Sequence, residues 1–82
     1  MKKIHLRPNV SDEVRAIDQT TAFRILRAIH RYAEFGEGQV KPLTGEFEGL
    51  LRLRVGDYRV LFDESKDTIT IHRVRERREA YR

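Results

Sequence analysis

The stretch Leu51-Arg52-Leu53-Arg54-Val55-Gly56-Asp57-Tyr58-Arg59-Val60-Leu61-Phe62 decides the fold. Leu51, Leu53 and Val55 alternate with Arg52 and Arg54, and Gly56-Asp57 then breaks the run. Beyond the break, Tyr58, Val60 and Phe62 alternate with Arg59, Leu61 and Asp63. Successive side chains of a strand point to opposite faces, so a period of two marks half-buried strands, and a two-residue turn joins them as a hairpin. Glu64-Ser65-Lys66-Asp67 makes a second turn, after which Ile69 and Ile71 alternate with Thr70 and His72. Three strands joined this way form an antiparallel meander. Its apolar set is Leu51, Leu53, Val55, Tyr58, Val60, Phe62, Ile69 and Ile71; the opposite set holds Arg52, Arg54, Arg59 and His72.

Working outward, Lys3-Ile4-His5-Leu6 alternates briefly before Arg7-Pro8 and reads as a first short strand. A short helix is expected over Asp12 to Ile17, capped by Asn9 or Ser11. A longer one is expected from Thr20 to Phe35, because Ala22, Ile25, Leu26, Ile29, Tyr32 and Ala33 recur at helical spacing. Gly36-Glu37-Gly38 ends it. Residues 36–49, punctuated by Pro42, Gly45 and Gly49, read as loop. The order β-α-α-β-β-β predicts one α+β domain over residues 1–82, two helices packed on one face of a mainly antiparallel sheet. The other face is then open and basic.

Composition narrows the function. Eighty-two residues with no cysteine exclude a disulfide scaffold, a thiol nucleophile and a thiolate metal site. No apolar run is long enough for a membrane span, and Met1-Lys2-Lys3 opens no signal-peptide core, so the chain is expected to be cytoplasmic, intact and without a membrane partner. Lys+Arg is 17 against 13 Asp+Glu, a net charge of +4, and only Lys2, Lys3, Lys41 and Lys66 are lysines. The rest are arginines, whose planar fork matches phosphate in two places and stays charged. A nucleic-acid partner follows from that chemistry, against the plainer alternative of a solvated basic surface.

Arg52, Arg54 and Arg59 on neighbouring strands repel one another unless an anion or an acid such as Asp57 or Asp63 lies among them. Arg73, Arg75, Arg77, Arg78 and Arg82 crowd the tail around Tyr81. Positive neighbours favour a phenolate, which could exchange a proton with a ribose hydroxyl or stack on a base. The competing reading makes Tyr81 a hydrophobic anchor for the terminus. His72 falls on the basic face, where it could touch substrate, whereas His5 and His30 have no second ligand at metal spacing. No metal or nucleotide motif occurs, and no cofactor is expected.

Lys41-Pro42-Leu43-Thr44-Gly45, the meander stretch from Leu51 to Phe62, and Arg77-Arg78-Glu79-Ala80-Tyr81-Arg82 together resemble the RelE/ParE superfamily of toxins. The resemblance implies the toxin of a type II toxin–antitoxin pair, with an antitoxin as partner. RelE-like members cut mRNA in the ribosomal A site without a metal, the 2′-hydroxyl attacking the adjacent phosphate. Carried onto this chain, the resemblance makes Arg59, Tyr81 and Arg75 or Arg77 the catalytic candidates. Arg52, Arg54, His72, Lys41 and Arg78 become the phosphate-binding ones. Leu50 and Glu76 stand where relatives carry a lysine and a histidine, which weakens the proton-transfer half of the mechanism, arginine being a poor base. ParE-like members share the fold but poison DNA gyrase, which is the alternative function.

Overall fold

The computed structural model describes residues 1–81; Arg82 lies outside the described residues. The chain runs through β1 (Lys3–Leu6), α1 (Pro8–Arg15), α2 (Gln19–Phe35), β2 (Gln39–Pro42), a 3-10 turn (Gly45–Phe47), β3 (Leu51–Val55), β4 (Tyr58–Glu64) and β5 (Thr68–Glu76). The five strands form one sheet in the order β1-β5-β4-β3-β2. β3, β4 and β5 are the expected antiparallel meander, and β1 joins it parallel to β5, from Lys3 opposite Thr68 to Leu6 opposite Ile71. The expected α+β class and its β-α-α-β-β-β order hold, with one strand added. Gln39–Pro42 lies in the stretch read as loop, yet pairs antiparallel with β3, Val40 opposite Leu53 and Lys41 opposite Arg52. Pro42 is tolerated there because an edge strand leaves one side of its backbone unpaired.

α2 forms as its periodicity predicts. Asp18 caps it, accepting from the Thr21 amide at 3.0 Å, and Gly36 ends it in the left-handed region at φ 72°. α1 begins earlier than expected. Arg7 takes the cap position in extended backbone, and Pro8, with its fixed φ and no amide hydrogen to lose, opens the first turn. Neither Asn9 nor Ser11 is the cap. Asn9 Nδ2 instead donates to the His72 carbonyl at 3.0 Å.

Val10 of α1 and Ile25, Ile29 and Ala33 of α2 pack on Leu53, Val60, Phe62, Ile69, Ile71 and Val74 of the sheet. Phe62 is 1% exposed and meets the Tyr32 ring edge-on at 5.3 Å. Strand parity therefore assigns Leu51 to Phe62 as their alternation predicts. β5 departs from it. Ile71 faces Phe62, but Arg73 faces Leu61, so His72 is one extra residue and the pairing shifts register there. Parity beyond the bulge is reversed, which puts Val74 in the core and Arg73 and Arg75 on the open face.

Candidate functional site

Register arranges the open face in two rows. Arg54, Arg59 and Arg75 lie opposite one another across β3, β4 and β5. One step along, Lys41, Arg52, Leu61 and Arg73 form the next row across β2 to β5. Opposed like charges destabilise a sheet, so each cation needs a partner or solvent. Arg75 has one: its Nε lies 2.9 Å from Glu13 Oε2 of α1. Asp63, expected as a neutraliser, pairs with His72 instead.

Arg59 is only 6% exposed. Its Nη1 donates to the carbonyls of Gly56 and Tyr58, both at 2.9 Å. Those carbonyls flank the β3–β4 turn, where Gly56 takes φ 57° at the first of two turn residues, as a type II′ hairpin requires. Burial pulls the Arg59 pKa down first, then Arg54 and Arg52; Tyr81 acts the other way, and Arg77 lowers it further. The guanidinium remains charged in any protein setting. No carboxylate of the described residues pairs with Arg52, Arg59 or Arg77, and Arg52 Nε is buried without a hydrogen-bond partner. Arg59 is thus a desolvated cation among like charges.

The tail folds back over this face. The Arg77 amide donates to the Asp57 carbonyl at 2.7 Å, and Arg73 Nη1 to the Ala80 carbonyl at 2.6 Å. Ala80 and Leu61 are both buried although outside the main core, so the sheet is covered on this side too. Tyr81 meets Phe47 edge-on at 5.6 Å and stays 40% exposed. The result is a groove of about 450 Å³ in which Arg52, Arg59, Arg77, Tyr81 and Lys41 come together.

Four sequence candidates are not brought into it. Arg54 is exposed beside Arg59 and acts on it through charge; Arg78 is exposed in the tail turn. Arg75 is held by Glu13 at the edge of the sheet, and His72 lies between Asp63 and Arg7. Leu43, Thr44 and Phe47, which also line the groove, were not singled out. An aromatic in a Gly-punctuated loop was the available signal for Phe47. A hollow of about 500 Å³ near Met1 is larger, but Lys3, Glu34, Lys66 and Asp67 around it are exposed and of both signs. Among the described residues no His, Asp or Glu group is placed to hold a metal ion, and no helix is long and apolar enough to cross a membrane.

Residues 4–81 match the family described as the ParE toxin of the type II toxin–antitoxin system parDE. No curated protein sequence matches the chain significantly. Several solved structures share its fold. The YoeB–YefM complex from Staphylococcus aureus is 13% identical with a TM-score of 0.74, covering 92% of this chain and 95% of the other. The RelB–RelE antitoxin–toxin complex from Methanococcus jannaschii is 20% identical with a TM-score of 0.74, covering 92% of each. The RelE–RelB complex from Pyrococcus horikoshii is 22% identical with a TM-score of 0.73, covering 96% of this chain and 98% of the other.

Proposed function

We propose that this chain, which belongs to the ParE toxin family of type II toxin–antitoxin systems, is a ribosome-dependent mRNA endoribonuclease. The observation that carries this reading is Arg59: a buried guanidinium, crowded by Arg52, Arg54 and Arg77, opening on a groove with Tyr81 at its rim. In the proposed reaction the ribose 2′-hydroxyl loses its proton and attacks the adjacent phosphorus. The P–O5′ bond breaks, and the leaving oxygen takes up a proton. The products are a 2′,3′-cyclic phosphate and a 5′-hydroxyl. Negative charge builds on the phosphoryl oxygens in the transition state, where a preorganised donor such as Arg59 stabilises it by about 3–4 kcal/mol. Arg52, Arg77 and Lys41 hold the flanking phosphates. Tyr81 and Lys41 are the groove side chains able to exchange a proton with the attacking or leaving oxygen.

The matched family, described as ParE, favours a second reading: inhibition of DNA gyrase from the same scaffold. One induction experiment separates the two. Mapping RNA 5′ ends and DNA supercoiling side by side should show new cuts within codons at the A site and unchanged supercoiling. Trapped gyrase–DNA complexes with intact mRNA would replace the first reading by the second. The family also implies an antitoxin, whose inhibitory segment should be flexible and acidic with apolar residues at helical spacing. Attraction to the +4 domain should make its association fast and slower as salt rises.

A further inference from the structure

Arg73 does not line the groove, yet the tail's place in the groove follows from where Arg73 points. Alternation from Ile69 and Ile71 would turn residue 73 toward the helices. The extra residue His72 reverses that parity, so Arg73 faces Leu61 on the open side. Side chains of β4, of α1 and of Arg7 between β1 and α1 pin the irregularity. Asp63 of β4 holds His72 Nε2, and Arg7 Nη1 lies 3.1 Å from His72 Nδ1. β1 ends opposite Ile71, and α1 supplies the backbone partners beyond it: Asn9 Nδ2 for the His72 carbonyl and Glu13 Oε1, at 2.8 Å, for the Val74 amide. Directed this way, Arg73 Nη1 reaches the Ala80 carbonyl at 2.6 Å, a short charge-assisted bond beside a buried side chain.

We propose that Arg73 is a positioning residue: by holding the Ala80 carbonyl it sets Tyr81 against Phe47 and keeps Tyr81 and Arg77 beside Arg59. The geometric part stands on the bonds just described; its catalytic consequence rests on the nuclease reading. The full chain carrying Arg73→Met or Arg73→Lys tests both. The measurements are the through-space NMR contact between the Phe47 and Tyr81 rings and single-turnover cleavage of ribosome-bound mRNA. Arg73→Met should keep the amide protection of Val60 and Ile71 but lose the ring contact. Its cleavage rate at saturating substrate should fall about 100-fold, as displacement of reacting groups by an ångström does. Arg73→Lys, which keeps the charge and a donor, should recover part of both. Adding Tyr81→Phe to Arg73→Met should cost nothing further.

Survival of the ring contact in Arg73→Met overturns the proposal, as does a double variant that loses as much again as Tyr81→Phe alone. If Arg73→Met unfolds, Arg73→Lys decides: a partly populated ring contact supports positioning, and an unaltered or abolished one overturns it. If the unsubstituted chain cuts no RNA, the nuclease reading falls and the ring contact alone settles the role of Arg73.

Discussion

Two rows of side chains, one residue apart along the same three strands, have opposite fates. Leu53, Val60 and Val74, opposite one another on the helix side, are at most 2% exposed and satisfied by one another and the helices. Arg54, Arg59 and Arg75 form the adjacent row on the other side. Their fates split: Arg54 stays in solvent, Arg75 pairs with Glu13, and Arg59 is buried with no carboxylate partner among the described residues. Burial of apolar surface is non-directional, so the first row completes itself. Burial of charge demands specific partners, which Arg59 finds in part in the carbonyls of Gly56 and Tyr58; under the proposed function a substrate phosphate supplies the counter-charge. The contrast separates a self-sufficient apolar face from a charged one, on which the proposed function rests.

Substitutions can break that division. The largest effect on folding should come from Phe62→Ala, which leaves a cavity under α2 and should cost about 3–5 kcal/mol, read from urea denaturation, with arrest of growth lost along with the fold. Arg59→Ala should leave a folded chain and slow mRNA cleavage about 100- to 1,000-fold, as removal of one charge-stabilising donor does. A variant of Arg59 that stays fully toxic would remove the groove from the mechanism. Arg75→Ala sharpens the contrast within a single row. Its ion pair is partly exposed, so the loss should be about 1 kcal/mol or less, with cleavage changed only a few-fold. Equal losses from Arg75→Ala and Arg59→Ala would mean that the row works as a unit.

The smallest effects concern Glu64 and the two side chains bonded to it, Lys2 and Tyr32. Glu64 accepts from Lys2 Nζ at 2.6 Å and from the Tyr32 hydroxyl at 2.7 Å. Hydrogen bonds from Lys2 and Tyr32 hold its carboxyl below the ordinary 4.5, so its contribution is present above that pH and fades as acid protonates it. Burial, then Glu64, pushes the Tyr32 phenol up to about 12. That contribution is present below the ordinary 10.0 and is lost as pH rises from there toward 12. Denaturation across pH should therefore show an acid limb reduced in Glu64→Gln and an alkaline limb reduced in Tyr32→Phe. Limbs that persist unchanged in those variants would place the titrating groups elsewhere.

Legibility followed the range of the physics. The meander, α2 and its glycine cap were readable because period and capping are properties of a few adjacent residues. β2 was not, since Gln39–Pro42 has no alternation of its own and is a strand only because β3 offers its free edge. The start of α1 lies earlier than Asn9, a good cap by type, because Pro8 opens the first turn and leaves Asn9 inside the helix, where its Nδ2 bonds the His72 carbonyl from the far end of the chain.

By itself the sequence determined a helix-covered apolar face and a basic face bearing Arg52, Arg54 and Arg59, because alternation is imposed by the covalent geometry of an extended chain. Tertiary structure alone decided which cations lie together. The bulge at His72 reverses the parity of β5, Glu13 withdraws Arg75, and Arg73 fastens the tail so that Arg77 and Tyr81 join Arg59 and Lys41. Those choices depend on contacts between residues up to sixty-five positions apart, as in the Arg7–His72 contact, and no local pattern encodes them.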